Sequence, residues 1–430
     1  CLSRGSEMCI RDRYKEVIMK KLMNQRWFIA LVFMVLYKPA MFSQMPALHT
    51  FDTISNVFKV MVIAVLGVWF VYFYQKVSLF FVGIVFFEVW RVLATIYCGG
   101  NYTSLFIAIL NALAICLVVE MGLKTDPDAL LDGASFTLGL FVLINFATVL
   151  LFPQGMYEFN TFTQNYFLGY RNNSIMLFFP AIIFSIVRSL RKYNKLTLSS
   201  FVITAVSFAT VILAFSATSV IGMTVFTLFL LLALINKMPN FLNIITYLAI
   251  NIAYFFGVII LRLQEAFAFI IVDMLGRDLT FTGRTKIWDS ALAAFAKSPV
   301  FGVGEIENQA SRDLIGATHA HNYYLDLLYK SGLPGFLIFF AILIICGVAL
   351  YRNRKNGKIP FIVSGAICAF MIMLQSEAYY NIYYFFSILT LAAFIPYALP
   401  KKDEDGNFIF EEKGKHSLKK KHSYHYYLRK

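Results

Sequence analysis

Residues 102–152 read YTSLFIAILNALAICLVVEMGLKTDPDALLDGASFTLGLFVLINFATVLLF. Two mostly apolar runs, 102–121 and 133–152, flank a short polar segment carrying Lys124, Asp126, Asp128 and Asp132. A helix rises about 1.5 Å per residue, so each run matches the roughly 20 residues needed to cross bilayer hydrocarbon. Outward from this pair the pattern recurs at about 27–45, 57–75, 77–97, 173–188, 197–215, 218–236, 241–262, 333–351, 360–376 and 380–398. The reading is an all-α integral membrane protein of about twelve spans. No second hydrophobic half repeats the first, so the internal-repeat plan of many transporters is not visible.

Composition excludes the other classes. The 430 residues are 59% hydrophobic, 17% aromatic and only 14% charged. That is too little charge for a soluble chain of this size to cover its surface. The 45 Phe and 24 Tyr demand burial, which a disordered or fibrous chain does not provide. The net charge of +14 would point a soluble protein to nucleic acid. Here the basic residues stand in short runs between apolar segments, as the positive-inside rule expects, and nucleic acid is not a partner. Cys98, Cys116, Cys346 and Cys368 lie in or beside apolar segments without metal-ligand spacing, so neither a disulfide framework nor a zinc site is expected. Cys1–Arg13 resembles translated sequencing-adapter read-through, and Met19, followed by Lys20 and Lys21, reads as a start.

Basic clusters orient the chain. Lys20, Lys21 and Arg26 precede the first segment. Arg188, Arg191, Lys192 and Lys195 follow the sixth, and Arg352, Arg354, Lys355 and Lys358 follow the tenth. With the basic tail, 399–430, they fall on one side if there are twelve spans, and that side is the cytoplasm. The tail is expected to meet anionic headgroups. The layout is then spans one to nine over 14–262, a long extracytoplasmic loop over 263–332, and spans ten to twelve over 333–398. The loop holds the Gly, Pro, His and mixed charge that the rest lacks, and a loop of that length between spans is usually functional. Within it, TGRTKIWDSALAAFAK (282–297) places Ile287, Ala291, Leu292 and Phe295 on one helical stripe. SPVFGVGE (298–305) breaks that helix. HNYYLDLLYKSGLPG (321–335) predicts a second helix ending at Gly332, with Pro334 opening the tenth span.

The ordered set of Arg284 and Trp288, then Pro299, Gly302 and Gly304, then His321, Asn322, Leu325, Gly332 and Gly335 resembles the signature of the O-antigen ligase and polymerase superfamily. The motif covers 282–336; elsewhere the likeness is one of layout. The resemblance implies an all-helical glycosyltransferase of the bacterial cytoplasmic membrane with no cofactor and no metal. It would move a sugar chain from a polyprenyl-diphosphate carrier to a glycan, lipid or wall acceptor. It would be a polymerase that extends the glycan or a ligase that hands it on.

The residue types fit that chemistry. A departing diphosphate needs its charge neutralised, and guanidinium binds phosphate oxygens bidentately. An acceptor hydroxyl must lose a proton, and histidine titrates near neutral pH. Arg284 and His321 are the expected pair, with His319 as support or replacement base. A solvated helix charge and a helix-capping polar residue are their plainer readings. Arg171, in FLGYRNNS before the sixth segment, and Arg262 and Arg277, flanking the loop, are candidates to face the diphosphate. Asn322 either orients His321 or caps the helix. Trp288 either stacks on sugar or packs. Gly302 and Gly304 either turn the backbone near the phosphate or simply form a loop. His-x-His hints at a metal, yet no third ligand stands at a recognisable spacing.

Some residues depart from the pattern. Many ligases carry an Arg just after a Ser in the eighth span, whereas Val220 follows Ser219 here, which favours a polymerase or a divergent ligase. Glu88 and Arg91, three apart in the third segment, pair with each other or line a groove. Asp126 and Asp128 imitate a metal-binding pair but read as a helix start. The competing function is a transporter or flippase of lipid-linked saccharides.

Overall fold

A computed structural model describes residues 25–100, 102–160, 162–263, 284–379, 381–403 and 408–411. It is mostly helical. The helices are α1 (Arg26–Leu36), α2 (His49–Trp69), α3 (Leu79–Tyr97), α4 (Tyr102–Thr125), α5 (Pro127–Leu151), α6 (Ile175–Tyr193), α7 (Leu198–Leu213), α8 (Ala217–Leu234) and α9 (Ile244–Tyr254). They continue as α10 (Arg284–Lys297), α11 (Asn308–Ile315), α12 (Tyr323–Arg352), α13 (Lys358–Leu374) and α14 (Phe385–Ala393). Their starts are written in the sequence. Ser78 accepts from the Phe81 N–H, Asp126 from the Ala129 N–H with Pro127 at the first helical position, and Asn322 from the Leu325 N–H.

Among the described residues, seven helical stretches are long and apolar enough to cross a membrane, by length and composition. Leu198–Leu213, Ile244–Ile260, Lys358–Leu374 and Ile382–Ala393 are shorter apolar helices. Large apolar side chains point outward from them: Val60 is 66% exposed and Leu198 73%. Water would penalise such faces and lipid does not. The inner faces form one core, with Phe179 between Phe226 and Phe370 on neighbouring helices.

One expectation needs correction. The chain is not purely helical. A three-stranded antiparallel sheet, β1 (Tyr157–Phe159), β2 (Phe162–Tyr166) and β3 (Gly169–Tyr170), fills the connection between α5 and α6. Its register pairs Phe159 with Phe162 and Tyr166 with Gly169. The helix begun at Tyr323 does break at Gly332, which takes the non-helical φ 67°, ψ −176°, and a second helix opens around Pro334 and runs to Arg352; α12 is these two helices joined across the kink.

The bundle has two chemically different ends. At one, Arg188 and Lys192 pair with Asp132, and Arg191 and Lys401 with Asp128. The N-terminus of α1 packs there too, the Arg26 carbonyl lying against Gly133. At the other end of α1, Tyr37 stacks on Tyr384 with ring centroids 4.4 Å apart. The Met41 N–H bonds the Phe167 carbonyl of the sheet connection. Residues 375–379 and 381–384, which α14 separates from the basic end, therefore lie at this second end.

Candidate functional site

The second end gathers the loop histidines and a residue the motif does not contain. His319 and His321 precede α12, their ring centroids 4.2 Å apart and tilted by 60°. Glu377, in the connection from α13 to α14, lies below both: its Oε1 is 3.7 Å from His319 Nε2 and 3.5 Å from His321 Nδ1. The His321 backbone N–H donates to His319 Nδ1 at 3.2 Å. His321 has φ +49°, a left-handed conformation that costs a non-glycine residue about 1–2 kcal/mol. Such strain persists where surrounding structure fixes it, commonly at functional sites.

The surroundings do fix it. Ala320, between the histidines, gives its carbonyl to Trp288 Nε1 at 3.0 Å and its N–H to Asp326 at 3.0 Å. Asn322 is fully buried. Its oxygen caps α12 while its Nδ2 donates to the Gln375 carbonyl at 2.9 Å and to Gln375 Oε1 at 3.1 Å. Gln375 Nε2 in turn donates to Asn251 Oδ1 of α9 at 2.9 Å. Arg284, first residue of α10, donates to the Ser376 carbonyl at 2.5 Å. So Arg284, His319, His321 and Glu377 form one cluster held from α9, α10, α12 and the α13–α14 connection.

Charge is balanced within it. Burial alone would raise the Glu377 carboxyl, but the nearby His321, His319 and Arg284 hold it below its ordinary value. Burial, together with the His321 charge, lowers His319 against the opposing pull of Asp326 and Glu377.

The other expected site residues have contacts of their own. Trp288 is 2% exposed, with the Arg262 guanidinium 5.3 Å from its ring centre, so it braces the histidine turn and has no free face for sugar. Arg262 pairs with Asp289 and donates to the Thr285 carbonyl. Arg171 sits beside the sheet, bonded to Gln164 and to the Ala214 carbonyl. Gly302 and Gly304 take φ +69° and +74°, and the N–H groups of Val303 and Gly304 bond the carbonyls of Tyr329 and Lys330. The glycines are a clamp on α12, and their contacts go to that helix and to α3. Arg277 lies outside the described residues. Glu88 and Arg91 are paired at 2.8 Å. Asp128 is held by Arg191 at the basic end, away from the histidines.

Sequence reasoning missed Glu377, Gln375 and Asp326. Glu377 also supplies the third donor whose absence argued against a metal: the donor atoms of His319, His321 and Glu377 lie within 4.8 Å of one another. Two features weigh against a cation there. His319 Nδ1 already accepts a backbone N–H, and the Arg284 charge acts on the one carboxylate.

With the geometry in place, comparison with known proteins adds one likeness. Residues 201–340, from α7 into α12, match the family described as O-Antigen ligase. This stretch contains Arg284, His319 and His321 and ends before Glu377. No curated protein matches the chain.

Proposed function

We propose, from the match of residues 201–340 to the O-Antigen ligase family, that the chain transfers or polymerises polyprenyl-diphosphate-linked oligosaccharide outside the bacterial cytoplasmic membrane. The carrying observation is the cluster of Arg284, His321 and Glu377 at the end of the bundle opposite its basic loops. On this reading twelve helical segments cross the bilayer and the cluster opens to the outside.

In the transfer step the bond from the sugar's anomeric carbon to the carrier phosphate breaks, and its electron pair leaves with the polyprenyl diphosphate. A bond from the acceptor oxygen to that carbon forms. The acceptor proton passes to His321. Arg284 neutralises the diphosphate through its planar fork, aided by its place at the positive end of α10. Arg171, Arg262 and Arg277 are candidates for the longer carrier contact. Val220, where many ligases carry Arg, favours a polymerase or a divergent ligase. A flippase would rely on midplane charges and repeated halves, whereas this cluster stands at one end.

The test uses purified protein in lipid nanodiscs, a synthetic polyprenyl-diphosphate oligosaccharide and gel detection of lengthened or transferred chains. Arg284→Lys keeps the charge but loses the fork and should transfer poorly at normal membrane levels. His321→Ala should lose about 10²–10⁴-fold, the usual worth of positioned acid–base catalysis, and a chelator should leave the wild type unchanged. Near-normal transfer by both variants would exclude the reading.

A further inference from the structure

We infer that Glu377 is the positioning carboxylate of the transfer site, fixing the proton of His321 on Nδ1 and leaving Nε2 as the base. The inference rests on the reading of His321 as base and adds the residue that acts through it.

Counting nitrogens distinguishes the two histidines. His319 Nδ1 accepts the His321 backbone N–H, so it carries no proton of its own. Neutral His319 then bears its proton on Nε2, the atom 3.7 Å from Glu377 Oε1. Both its nitrogens are committed to the protein. His321 commits one. Its Nδ1 is buried, has no hydrogen-bond partner within normal reach, and lies 3.5 Å from the same oxygen. A proton on that atom has a carboxylate to meet, and catalytic hydrogen bonds in unliganded sites commonly run long and tighten with substrate. Nε2 is then unprotonated and uncommitted. When it takes the acceptor proton the ring becomes an imidazolium beside a carboxylate that stays ionised. This is the division of labour that an acid partner gives a catalytic histidine in hydrolytic triads.

The carboxylate is itself held. Ser376 is bonded by Arg284 and Gln375 by Asn322, so residues flanking Glu377 are tied to the diphosphate-binding candidate and to the cap of α12. Base and phosphate ligand therefore share one rigid segment, as precise placement requires.

The experiment compares Glu377→Gln, Glu377→Asp, His319→Gln and His321→Ala in the nanodisc assay, with donor saturating and acceptor varied. Glutamine keeps the size but loses the charge, and its amide can present a donor where an acceptor is needed. Glu377→Gln should lose about 10²-fold or more in kcat with acceptor KM changed only a few-fold. Glu377→Asp should recover at least about tenfold of that loss, since it restores the anion. ¹⁵N spectra of histidine-labelled protein should show His321 protonated on Nδ1 in the wild type and not uniformly so in Glu377→Gln. His319→Gln, which can still donate to Glu377 and accept from His321, should stay within about tenfold of wild type. It tests the inference even if Glu377→Gln fails to fold. A wild-type kcat in Glu377→Gln, equal losses in the Gln and Asp variants, an unchanged His321 tautomer, or a His319→Gln loss as large as that of His321→Ala would each overturn it. If His321→Ala is dead while Glu377→Gln is normal, only the carboxylate inference fails. Normal transfer by His321→Ala would remove the base assignment as well.

Discussion

Asp326, in the first turn of α12, accepts the backbone N–H of Ala320, the residue between the two histidines, at 3.0 Å. That bond ends a chain of alternating charges. Asp326 meets Lys330 at 3.2 Å, Lys330 meets Glu305 at 3.0 Å, Glu305 meets Arg91 at 3.7 Å, and Arg91 meets Glu88 at 2.8 Å. The histidine turn is thereby wired to α3 across the bundle.

Removing different links should cost differently. Asp326→Asn keeps an acceptor for Ala320 and leaves Lys330 with Glu305, so it should lower unfolding stability by about 1 kcal/mol. Lys330→Met leaves Asp326 and Glu305 facing each other largely buried and without their shared cation. Breaking such a pair from one side costs about 3–5 kcal/mol. Thermal unfolding in detergent should rank Lys330→Met well below Asp326→Asn. The reverse order would show that the chain contributes little.

The glycines of the motif should fail by packing rather than by chemistry. A Cβ on Gly302 would stand 2.4 Å from the Tyr329 carbonyl oxygen, and one on Gly332 would stand 2.0 Å from that of Val300. Both contacts are with backbone that cannot swing away. Gly302→Ala and Gly332→Ala should therefore reach the membrane poorly. Gly316 has φ +78° but nothing within 4 Å of its would-be Cβ, so Gly316→Ala should cost only about 1–2 kcal/mol and express normally. Equal membrane levels for all three, by immunoblot, would contradict the clamp.

The apolar segments were legible because span length is a local property. So was the break within α12, since Gly332, Pro334 and Gly335 together read as a stop and a restart. In the fold, Pro334 needs no N–H at the start of the continued helix, and the Leu333 N–H is taken by the Pro299 carbonyl. The sheet escaped because strands as short as Tyr157–Phe159 and Gly169–Tyr170 carry no readable period. His321 and Arg284 were legible through an ordered motif. Glu377 stands in no such order; only the return of α13 beside α12 brings it under the histidines.

Stability near neutral pH should reflect His319. Burial first, then the His321 charge, lowers its folded value below the ordinary 6.5. As pH falls below about 6.5, the unfolded chain takes up a proton that folded His319 refuses, so stability declines. The decline continues until the folded value is passed. His319→Gln should flatten this limb of a melting-temperature profile between pH 7 and 5. A profile as steep as wild type would show that other groups set it.

Orientation can be read with cysteines at the two ends. Gln309 is exposed on α11, in the segment that contains the histidine turn, and Asn194 is exposed after α6 beside the basic cluster. Cys116, Cys346 and Cys368 are buried, while Cys98 is exposed and would react at the same end as the histidines. The background therefore replaces Cys98 by Ser, and Cys1 and Cys9 likewise. Basic loops stay in the cytoplasm during insertion, so a membrane-impermeant maleimide should label Gln309→Cys in intact cells. It should label Asn194→Cys only after lysis. The opposite pattern would place the cluster of Arg284, His321 and Glu377 in the cytoplasm. There a transfer from carrier lipid on the outer face could not occur, and the proposed function would fall with the orientation.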